Sequence, residues 1–358
     1  MANLLRLRHE KTHPASPTTE PFTGYTILVT GAAGGLGLEA AKKLACLHAD
    51  KIIITARSQA KGGTARREIE EFAATHSKNT TGDGRTKTEI IPLVLDMESS
   101  ASIRQFVKDL TSKITILHAA ILSAGGMQSS YKATPDGWDQ TYQINSLSTV
   151  YLGTLLLPLL LSTAEAAPTG PKPHLTFVSS NTAWTLSPKT FEKFRASERP
   201  LRDLNAKENY PPGMTGGTIQ YSSSKLMLEY GMRHLATLPI LYDANGEPKV
   251  IVHSICPGLC RSDLSRNMRT LSPVVKLASE IMMAWGARSL EDGCNIYLSG
   301  IKQDMKVHGE MWRNDRVWPA GEMVTSEDGK KMGDKIWREI VEYIESLDPG
   351  LKNYLQVK

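Results

Sequence analysis

Two Tyr-x-x-x-Lys sequences in this chain could carry acid–base chemistry. One is YSSSK at residues 221–225, and the other is YLQVK at residues 354–358. Residues four apart lie on one face of a helix, where an ammonium group can lower the pKa of a phenol toward neutrality. The motif is short, and a chain with 11 tyrosines should contain roughly one match by chance. The elements around each pair must therefore decide between them.

The length and composition favour a single large α/β domain. The chain has 358 residues, and a hydrophobic content of 41% is sufficient for a substantial core. Its net charge of +5 is spread along the sequence, without the basic clusters and interleaved aromatic residues of a nucleic-acid groove. Nucleic acid is therefore not an expected partner. The four cysteines have neither metal-site spacing nor a paired pattern, so we predict no metal and expect them to be buried.

The N-terminal segment and the longest apolar run bear on location. Residues 1–22 mix charges with Pro, Ser and Thr, and we expect a flexible arm that lacks the apolar run of a signal peptide. Residues 150–161 are apolar, but as a helix they would rise only about 18 Å against a bilayer core of about 30 Å. A buried helix is expected there rather than a membrane span. The expected location is the cytoplasm.

Short segments rich in β-branched residues, which we predict to be strands, alternate with helical segments from Tyr25 onward. The predicted strand segments are YTILVT, KIIITA, TEIIPLVLD, TILHAAILSAG, HLTFVSS and KVIVHSIC. Apolar strands separated by helices predict a parallel sheet that is covered on both faces, the doubly wound α/β arrangement called the Rossmann fold. We expect this domain to span residues 23–300, with an insert at residues 181–217. Residues 301–358 are expected to form a C-terminal extension packed on the domain.

A glycine-rich stretch, TGAAGGLG, lies between the first strand and the first helix. Glycines at such a turn let the backbone approach a pyrophosphate, which free N–H groups at the helix N-terminus then hold. A turn without a ligand is the alternative, but the flanking strand and helix favour a dinucleotide. The residues of this turn that we expect to contact the cofactor are Thr30, Gly31, Gly35, Leu36 and Gly37.

The end of the second strand distinguishes NAD from NADP. An acidic residue there would bind the ribose hydroxyl groups of NAD, whereas this chain has Ala56 followed by Arg57. A guanidinium favours a 2′-phosphate, and Lys61 could add a second charge, so NADP(H) is the predicted cofactor. Both cations could instead be ordinary solvated side chains. Asp96, after the third strand, could bind the adenine amino group or cap the next helix.

Polar residues from several strand ends are expected to converge on Tyr221. Its helix follows the fifth strand, on the side of the sheet where α/β proteins bind ligands, and that strand ends in two serines of which the second is Ser180. The end of the fourth strand and Asn145 in the next helix complete the set. The motif at Tyr354 has no such surroundings, so we interpret it as the chance match.

With these motifs the sequence resembles the short-chain dehydrogenases/reductases, over residues 24–300. QINSL, which contains Asn145, and YSSSK follow TGAAGGLG in the family's order, and LSAG stands for NNAG with Ser123 in place of an Asn. The tail resembles reductases of filamentous fungi, including those that tailor secondary metabolites. Further positions that match the family's cofactor contacts are Met97, Ala124, Gly125, Pro257, Gly258 and Ser262.

The resemblance implies hydride transfer between nicotinamide C4 and a carbonyl or alcohol carbon. Tyr221 would exchange the proton, and Ser180 would hold the substrate oxygen. Lys225 would bind the cofactor ribose and lower the pKa of the phenol, while Asn145 would fix a water linked to that lysine. Members of the family often form homodimers or homotetramers. Reduction of C=C or C=N bonds, a non-redox step with bound NADP(H) and a non-catalytic NADP-sensing role are the alternatives.

The insert departs from the family's common pattern, because Ser180 and Tyr221 are 41 positions apart. It could form a wall of the substrate pocket or a separate surface excursion. A medium or large apolar small molecule is the expected substrate. Candidate apolar contacts are Trp184, Phe191 and Phe194 in the insert, and Met282 in the helix after the Pro-Gly motif.

Overall fold

The computed structural model describes residues 2–76, 87–212, 216–262 and 273–355. The strands are β1 Thr26–Val29, β2 Lys51–Ala56, β3 Glu89–Val94, β4 Ala119–Leu122, β5 His174–Val178, β6 Ile251–Ile255, β7 Met311–Arg313 and β8 Arg316–Trp318. The helices are α1 Ala2–Thr12, α2 Gly35–Cys46, α3 Gln59–His76, α4 Ser100–Lys113, α5 Gln140–Tyr142, α6 Ser148–Ala166, α7 Pro200–Asn205, α8 Gly216–Ala236, α9 Pro273–Gly286, α10 Leu290–Gly300, α11 Glu322–Thr325, α12 Glu327–Leu347 and α13 Lys352–Leu355.

The strands of the described residues form one eight-stranded sheet in the order β3-β2-β1-β4-β5-β6-β7-β8. Every pairing from β3 across to β7 is parallel, and β8 is antiparallel to β7. The strand order reverses between β1 and β4, which is the position where doubly wound sheets bind ligands. The predicted fold class is confirmed.

The sheet separates two hydrophobic clusters. Side chains of successive strand residues point to opposite faces, so Ile27 and Val29 pack with α2, α3 and α10, whereas Leu28 packs with α4, α6, α8 and α12. All three side chains are fully buried. Strands covered on both faces have to be apolar throughout, which is why they were recognisable in the sequence.

The long apolar helix belongs to the core. Residues from Gln140 to Ala166 form one helix that is long and apolar enough to cross a bilayer by length and composition, yet 72% of its apolar window is buried inside the fold. Val150 and Leu157, in the run that suggested a membrane span, are completely buried. The run is therefore a buried helix, as predicted.

The N-terminal segment differs from the flexible arm expected for residues 1–22. It contains helix α1, and Glu10 near the end of that helix is only 5% exposed. Oε2 of Glu10 lies 2.5 Å from Nη2 of Arg313, which is 303 positions later in the chain. Charged residues in this segment were read as solvated because their partners are so distant in sequence.

The sheet also extends past the expected domain boundary at residue 300. Strands β7 and β8 form a hairpin whose turn residues, Asn314 and Asp315, have φ values of 48° and 56°. Asn and Asp tolerate this left-handed conformation, and an Asn-Asp pair between two short apolar segments was the one available signal for the hairpin. The extension thus contributes to the sheet itself.

The insert packs against the C-terminal helix. It forms short 3₁₀ turns and α7, and the buried carboxylate of Glu339 in α12 caps the start of α7. This carboxylate accepts hydrogen bonds from the backbone N–H groups of Leu201, at 2.7 Å, and Arg202, at 3.1 Å. The insert and the C-terminal extension therefore stabilise each other. In the sequence they appear as separate departures from the family pattern.

We expect Glu339→Ala to destabilise the fold by about 2 kcal/mol, because the buried N–H of Leu201 and the partly buried N–H of Arg202 would lose a charged acceptor. Glu342→Ala is the matched control on the same helix, since its 56% exposed carboxylate pairs with Arg199 at the surface and should change stability by no more than about 0.5 kcal/mol. Urea unfolding measures both changes. Equal losses in the two variants would contradict this account of the insert.

Candidate active site

The glycine-rich turn packs closely against the end of β4. Gly31 has a φ of 67°, and a Cβ there would lie 3.0 Å from Cα of Ala124. A Cβ on Gly37 would lie 2.8 Å from the carbonyl oxygen of Gly31. The hydroxyl of Thr30 accepts a hydrogen bond from the N–H of Ala124 at 3.0 Å. Glycine is thus required at these positions by close backbone contact.

The start of α2 fits a pyrophosphate. A Cβ on Gly34 or Gly35 would meet no atom within 4 Å, and Gly35 has a φ of 57°. In the described structure no side chain caps this helix, so its first N–H groups are available to an anion. The side chain of Leu36 packs toward Gly293 of α10, which leaves only its backbone for a ligand.

The adenine end of the cleft carries two cations around one carboxylate. Nη1 of Arg57 lies 3.8 Å from Oε1 of Glu98, and Nζ of Lys132 lies 4.0 Å from Oε2 of the same side chain. Arg57 is 61% exposed, and Lys61 is exposed as well. Both are therefore accessible to a phosphate. Sequence reasoning missed Glu98 and Lys132, since neither belongs to a motif.

Asp96 does not cap helix α4, which was the alternative to its contact with adenine. Its Oδ1 accepts a hydrogen bond from the N–H of Glu98 at 3.0 Å, whereas the side chain of Ser99 caps α4 by accepting from Ser102. The cap interpretation of Asp96 is therefore wrong. Met97 is buried in the core at 5% exposure, so it could contact a ligand through its backbone only.

Asn145 lies in a π-helical turn, Gln143–Leu147, between α5 and α6. Such turns occur frequently at functional sites. The Asn145 amide accepts from the N–H of Gly126 at 2.9 Å and donates to its carbonyl at 2.8 Å. It also donates to the hydroxyl of Ser224 at 2.9 Å. One side chain thereby joins the loop after β4 to the turn of α8 that contains Ser224.

The ammonium group of Lys225 is held in the same place. Its Nζ donates to the carbonyl of Val178, the last residue of β5, at 2.8 Å and lies 5.8 Å from the ring centroid of Tyr221. A Cβ on Gly125 would lie 3.6 Å from this Nζ and 3.1 Å from Oδ1 of Asn145. Only a glycine lets the loop pass between these two side chains.

Burial acts on both members of the Tyr-Lys pair. It lowers the pKa of Lys225 to about 8, against the opposing effect of the Glu229 carboxylate. Burial also raises the pKa of Tyr221; Cys256 acts in the same direction, and a hydrogen bond with Ser180 opposes them. The expectation that Lys225 lowers the phenol pKa toward neutrality is therefore wrong for the protein alone, because desolvation of the phenolate dominates.

Ser180 follows β5 and lies beside the phenol. Its Oγ accepts hydrogen bonds from the N–H and the hydroxyl of Thr182 at 3.3 and 3.0 Å. The loop after β4, where Ser123 replaces an Asn, is tied down by a 2.8 Å hydrogen bond between Ser123 and the buried Tyr297 of α10. That bond supplies the local rigidity for which an Asn was expected.

Comparison with known proteins agrees with this geometry. A family model described as short chain dehydrogenase matches residues 25–185. The short-chain dehydrogenase/reductase ffsI of Aspergillus flavipes is 37% identical over 96% of this chain and 92% of its own length. The short-chain dehydrogenase/reductase phmF of Phaeosphaeria nodorum is 36% identical over 95% of this chain and 92% of its own length. The chain belongs to the short-chain dehydrogenase/reductase family.

Solved structures share the fold. A crystal structure of an uncharacterized protein from Mycobacterium paratuberculosis aligns with a TM-score of 0.60 at 21% identity, covering 93% of this chain and 97% of the other. A short chain dehydrogenase from Shigella flexneri complexed with NADP aligns with a TM-score of 0.53 at 21% identity, covering 84% and 100%. At these identities the likeness concerns the fold alone.

The candidate substrate contacts lie in different surroundings in this short-chain dehydrogenase/reductase. Phe191 and Phe194 are buried at 2% and 6% exposure, and both belong to the hydrophobic core cluster. They line a cavity of about 260 Å³ with Gln220 and Ser223, which lie on a different face of α8 from the Tyr-Lys pair. Their apolar rings are used to pack the insert.

The other two candidates keep accessible positions. Trp184 is partly buried in the 3₁₀ turn Asn181–Thr185, which begins directly after Ser180. Met282 is 42% exposed on α9. Of the expected nicotinamide contacts, Pro257, Gly258 and Ser262 follow β6 in sequence, and Gly258 has a φ of 78°.

We expect the burial of Lys225 to make stability depend on pH. Its folded pKa of about 8 lies below the ordinary 10.5, so the unfolded chain binds more protons between these values. The free energy of unfolding of the wild type, relative to that of Lys225→Met, should therefore increase as the pH rises through this range. Urea unfolding of both proteins at several pH values measures the difference. A difference that stays constant with pH would contradict a lowered pKa of Lys225 in the folded protein.

Proposed function

We propose that this protein is an NADPH-dependent oxidoreductase that transfers a hydride between nicotinamide C4 and a carbonyl or alcohol carbon of a medium or large apolar substrate. The observation that carries the proposal is the convergence of Tyr221, Ser180, Lys225 and Asn145 at one strand edge, next to a glycine turn that fits a pyrophosphate.

Tyr221 acts as the proton donor in the reductive direction. NADPH, when bound, supplies the hydride. Because burial raises the pKa of Tyr221, the phenol is protonated at neutral pH, which is the form that a general acid needs. Ser180, which is hydrogen-bonded to the phenol, holds the substrate oxygen so that the proton moves along a short path.

Lys225 and Asn145 return a proton to the Tyr221 phenolate after it has donated its own. Once the phenol has donated its proton, the nearby Lys225 ammonium stabilises the phenolate. A lysine pKa of about 8 allows proton exchange near neutral pH. Asn145 and Lys225 both border Gly125, which is exposed, so this glycine marks the side from which solvent protons reach the lysine.

The preference for NADPH over NADH rests on Arg57 and Lys61. Both are exposed cations after β2, where the 2′-phosphate would distinguish the two cofactors. The structural neighbour from Shigella flexneri, complexed with NADP, is consistent with this choice. Asp96, after β3, stays available to the adenine amino group through Oδ2.

The remaining proposals follow from the family and the surface. We propose a small-molecule substrate, a homodimer or homotetramer, and a cytoplasmic location. The most similar relatives described above are fungal, which supports a role in tailoring a fungal secondary metabolite. Reduction of a C=C or C=N bond by the same residues would appear as NADPH oxidation with those substrates and not with ketones, aldehydes or quinones.

Tyr221→Phe should lower turnover by roughly 10²- to 10⁴-fold, because it removes the proton donor while preserving the ring. NADPH affinity should remain close to that of the wild type. Tyr354→Phe, in the second Tyr-x-x-x-Lys motif, is the matched control and should retain full turnover. NADPH oxidation against a panel of carbonyl substrates measures both variants. An unchanged kcat in Tyr221→Phe would rule out this role.

Arg57→Ala should weaken NADPH binding by about tenfold, which corresponds to the loss of one charge-assisted pair of about 1.4 kcal/mol. NADH binding should be unaffected, since it has no 2′-phosphate. Arg66→Ala is the control, because Arg66 lies on the helix that follows Arg57, α3, and pairs with Glu70 instead. Calorimetric titration gives the dissociation constants. Equal weakening of NADPH and NADH would count against recognition of the 2′-phosphate.

A further inference from the structure

Three buried charged side chains meet beneath the loop that follows β6. Glu10, Arg288 and Arg313 are 5%, 2% and 1% exposed. Nη2 of Arg313 donates to Oε2 of Glu10 at 2.5 Å, and Nε of Arg288 donates to the backbone carbonyl of Glu10 at 2.7 Å. Both buried guanidinium groups therefore donate hydrogen bonds to the same residue, Glu10, which belongs to α1.

Both arginines also hold the loop itself. Nη1 of Arg288 donates to the carbonyl of Pro257 at 3.1 Å, and Nη1 of Arg313 donates to Sγ of Cys256 at 3.1 Å. A Cβ on Gly258 would lie 3.2 Å from Nη1 of Arg288. Residues 256–258, here called the Pro-Gly turn, thus rest directly on the two guanidinium groups.

The carboxylate of Glu10 is what allows the arginines to stay there. A guanidinium cannot lose its proton at ordinary pH, so a buried arginine needs a partner for its charge. The carboxylate of Glu10 is 2.5 Å from one guanidinium, and Oε2 would lie 3.8 Å from a Cβ on Gly258. Without this negative charge, the like charges would repel each other directly under the turn.

The same helix also holds α9. Nζ of Lys11 donates to the carbonyl of Ala284 at 2.5 Å, and Nη1 of Arg8 donates to that of Trp285 at 3.3 Å. These bonds satisfy carbonyl groups at the C-terminal end of α9, where cations are favourable. Helix α1 is therefore joined to both elements that follow β6.

We infer that Glu10 is a positioning residue for the cofactor and that it acts through Arg288 and Arg313 on the Pro-Gly turn. The inference rests on the proposed function, with Pro257 and Gly258 of this turn as the expected contacts of the nicotinamide. The N-terminal helix then forms part of the cofactor site, although it lies outside the motifs that identify the family. Glu10 should affect binding only at the nicotinamide half of the cofactor site. The described contacts of the three charged side chains do not include the glycine-rich turn or Arg57.

Two ligands separate the halves of the cofactor site. NADPH occupies both halves, whereas adenosine 2′,5′-bisphosphate carries the adenine and 2′-phosphate without the nicotinamide. Glu10→Gln should weaken NADPH binding by about tenfold, or about 1.4 kcal/mol, and leave the binding of the bisphosphate unchanged. Glu20→Gln is the matched control, since this 75% exposed glutamate of the same segment makes only a 3.9 Å surface pair with Lys302. Calorimetry measures the dissociation constants.

The outcomes are distinct. Equal weakening of both ligands in Glu10→Gln, or no weakening of either, would overturn the positioning role. Failure of the wild type to bind either ligand would instead overturn the proposed function. If Glu10→Gln does not fold, as judged by thermal unfolding, Asn314→Gly provides the test. It keeps the left-handed backbone and removes the 2.7 Å hydrogen bond from Nη2 of Arg288, so it should weaken NADPH selectively, and an unchanged NADPH affinity would contradict the inference.

Discussion

The burial of charge at one edge of the sheet is the constraint on which the rest of this structure depends. Lys225, Arg288 and Arg313 are all at most 5% exposed. A buried charge costs free energy unless a partner or a hydrogen-bond acceptor compensates. Each therefore fixes a second element: Lys225 fixes the end of β5, and the two arginines fix the Pro-Gly turn, with α1 as their source of negative charge.

The same desolvation shapes the acid–base chemistry. Burial moves the pKa of Tyr221 upward and that of Lys225 downward, so the unliganded protein favours a neutral phenol and a less basic amine. A neutral phenol suits proton donation to a developing alkoxide, which is the step that carbonyl reduction requires.

The insert and the C-terminal extension act as one structural addition. Glu339 in α12 caps the start of α7, and the rings of Phe191 and Phe194 are buried beneath the insert. The aromatic residues that suggested a substrate pocket serve this packing. Trp184 lies in the turn that follows Ser180, and Met282 is exposed on α9, the helix that α1 holds.

Local sequence was sufficient for the fold class and for the motifs from which the catalytic set is proposed. Strands that are buried on both faces must be apolar throughout, and TGAAGGLG, Asn145, Ser180 and YSSSK are recognisable because their chemistry requires particular residue types at particular spacings. Tertiary structure alone decided which charges are buried. The partner of Glu10 lies 303 positions away, and the pKa of Tyr221 depends on desolvation, which no local pattern records. The sequence therefore determined what the site contains, whereas long-range packing determined how it is held and in which protonation state it rests.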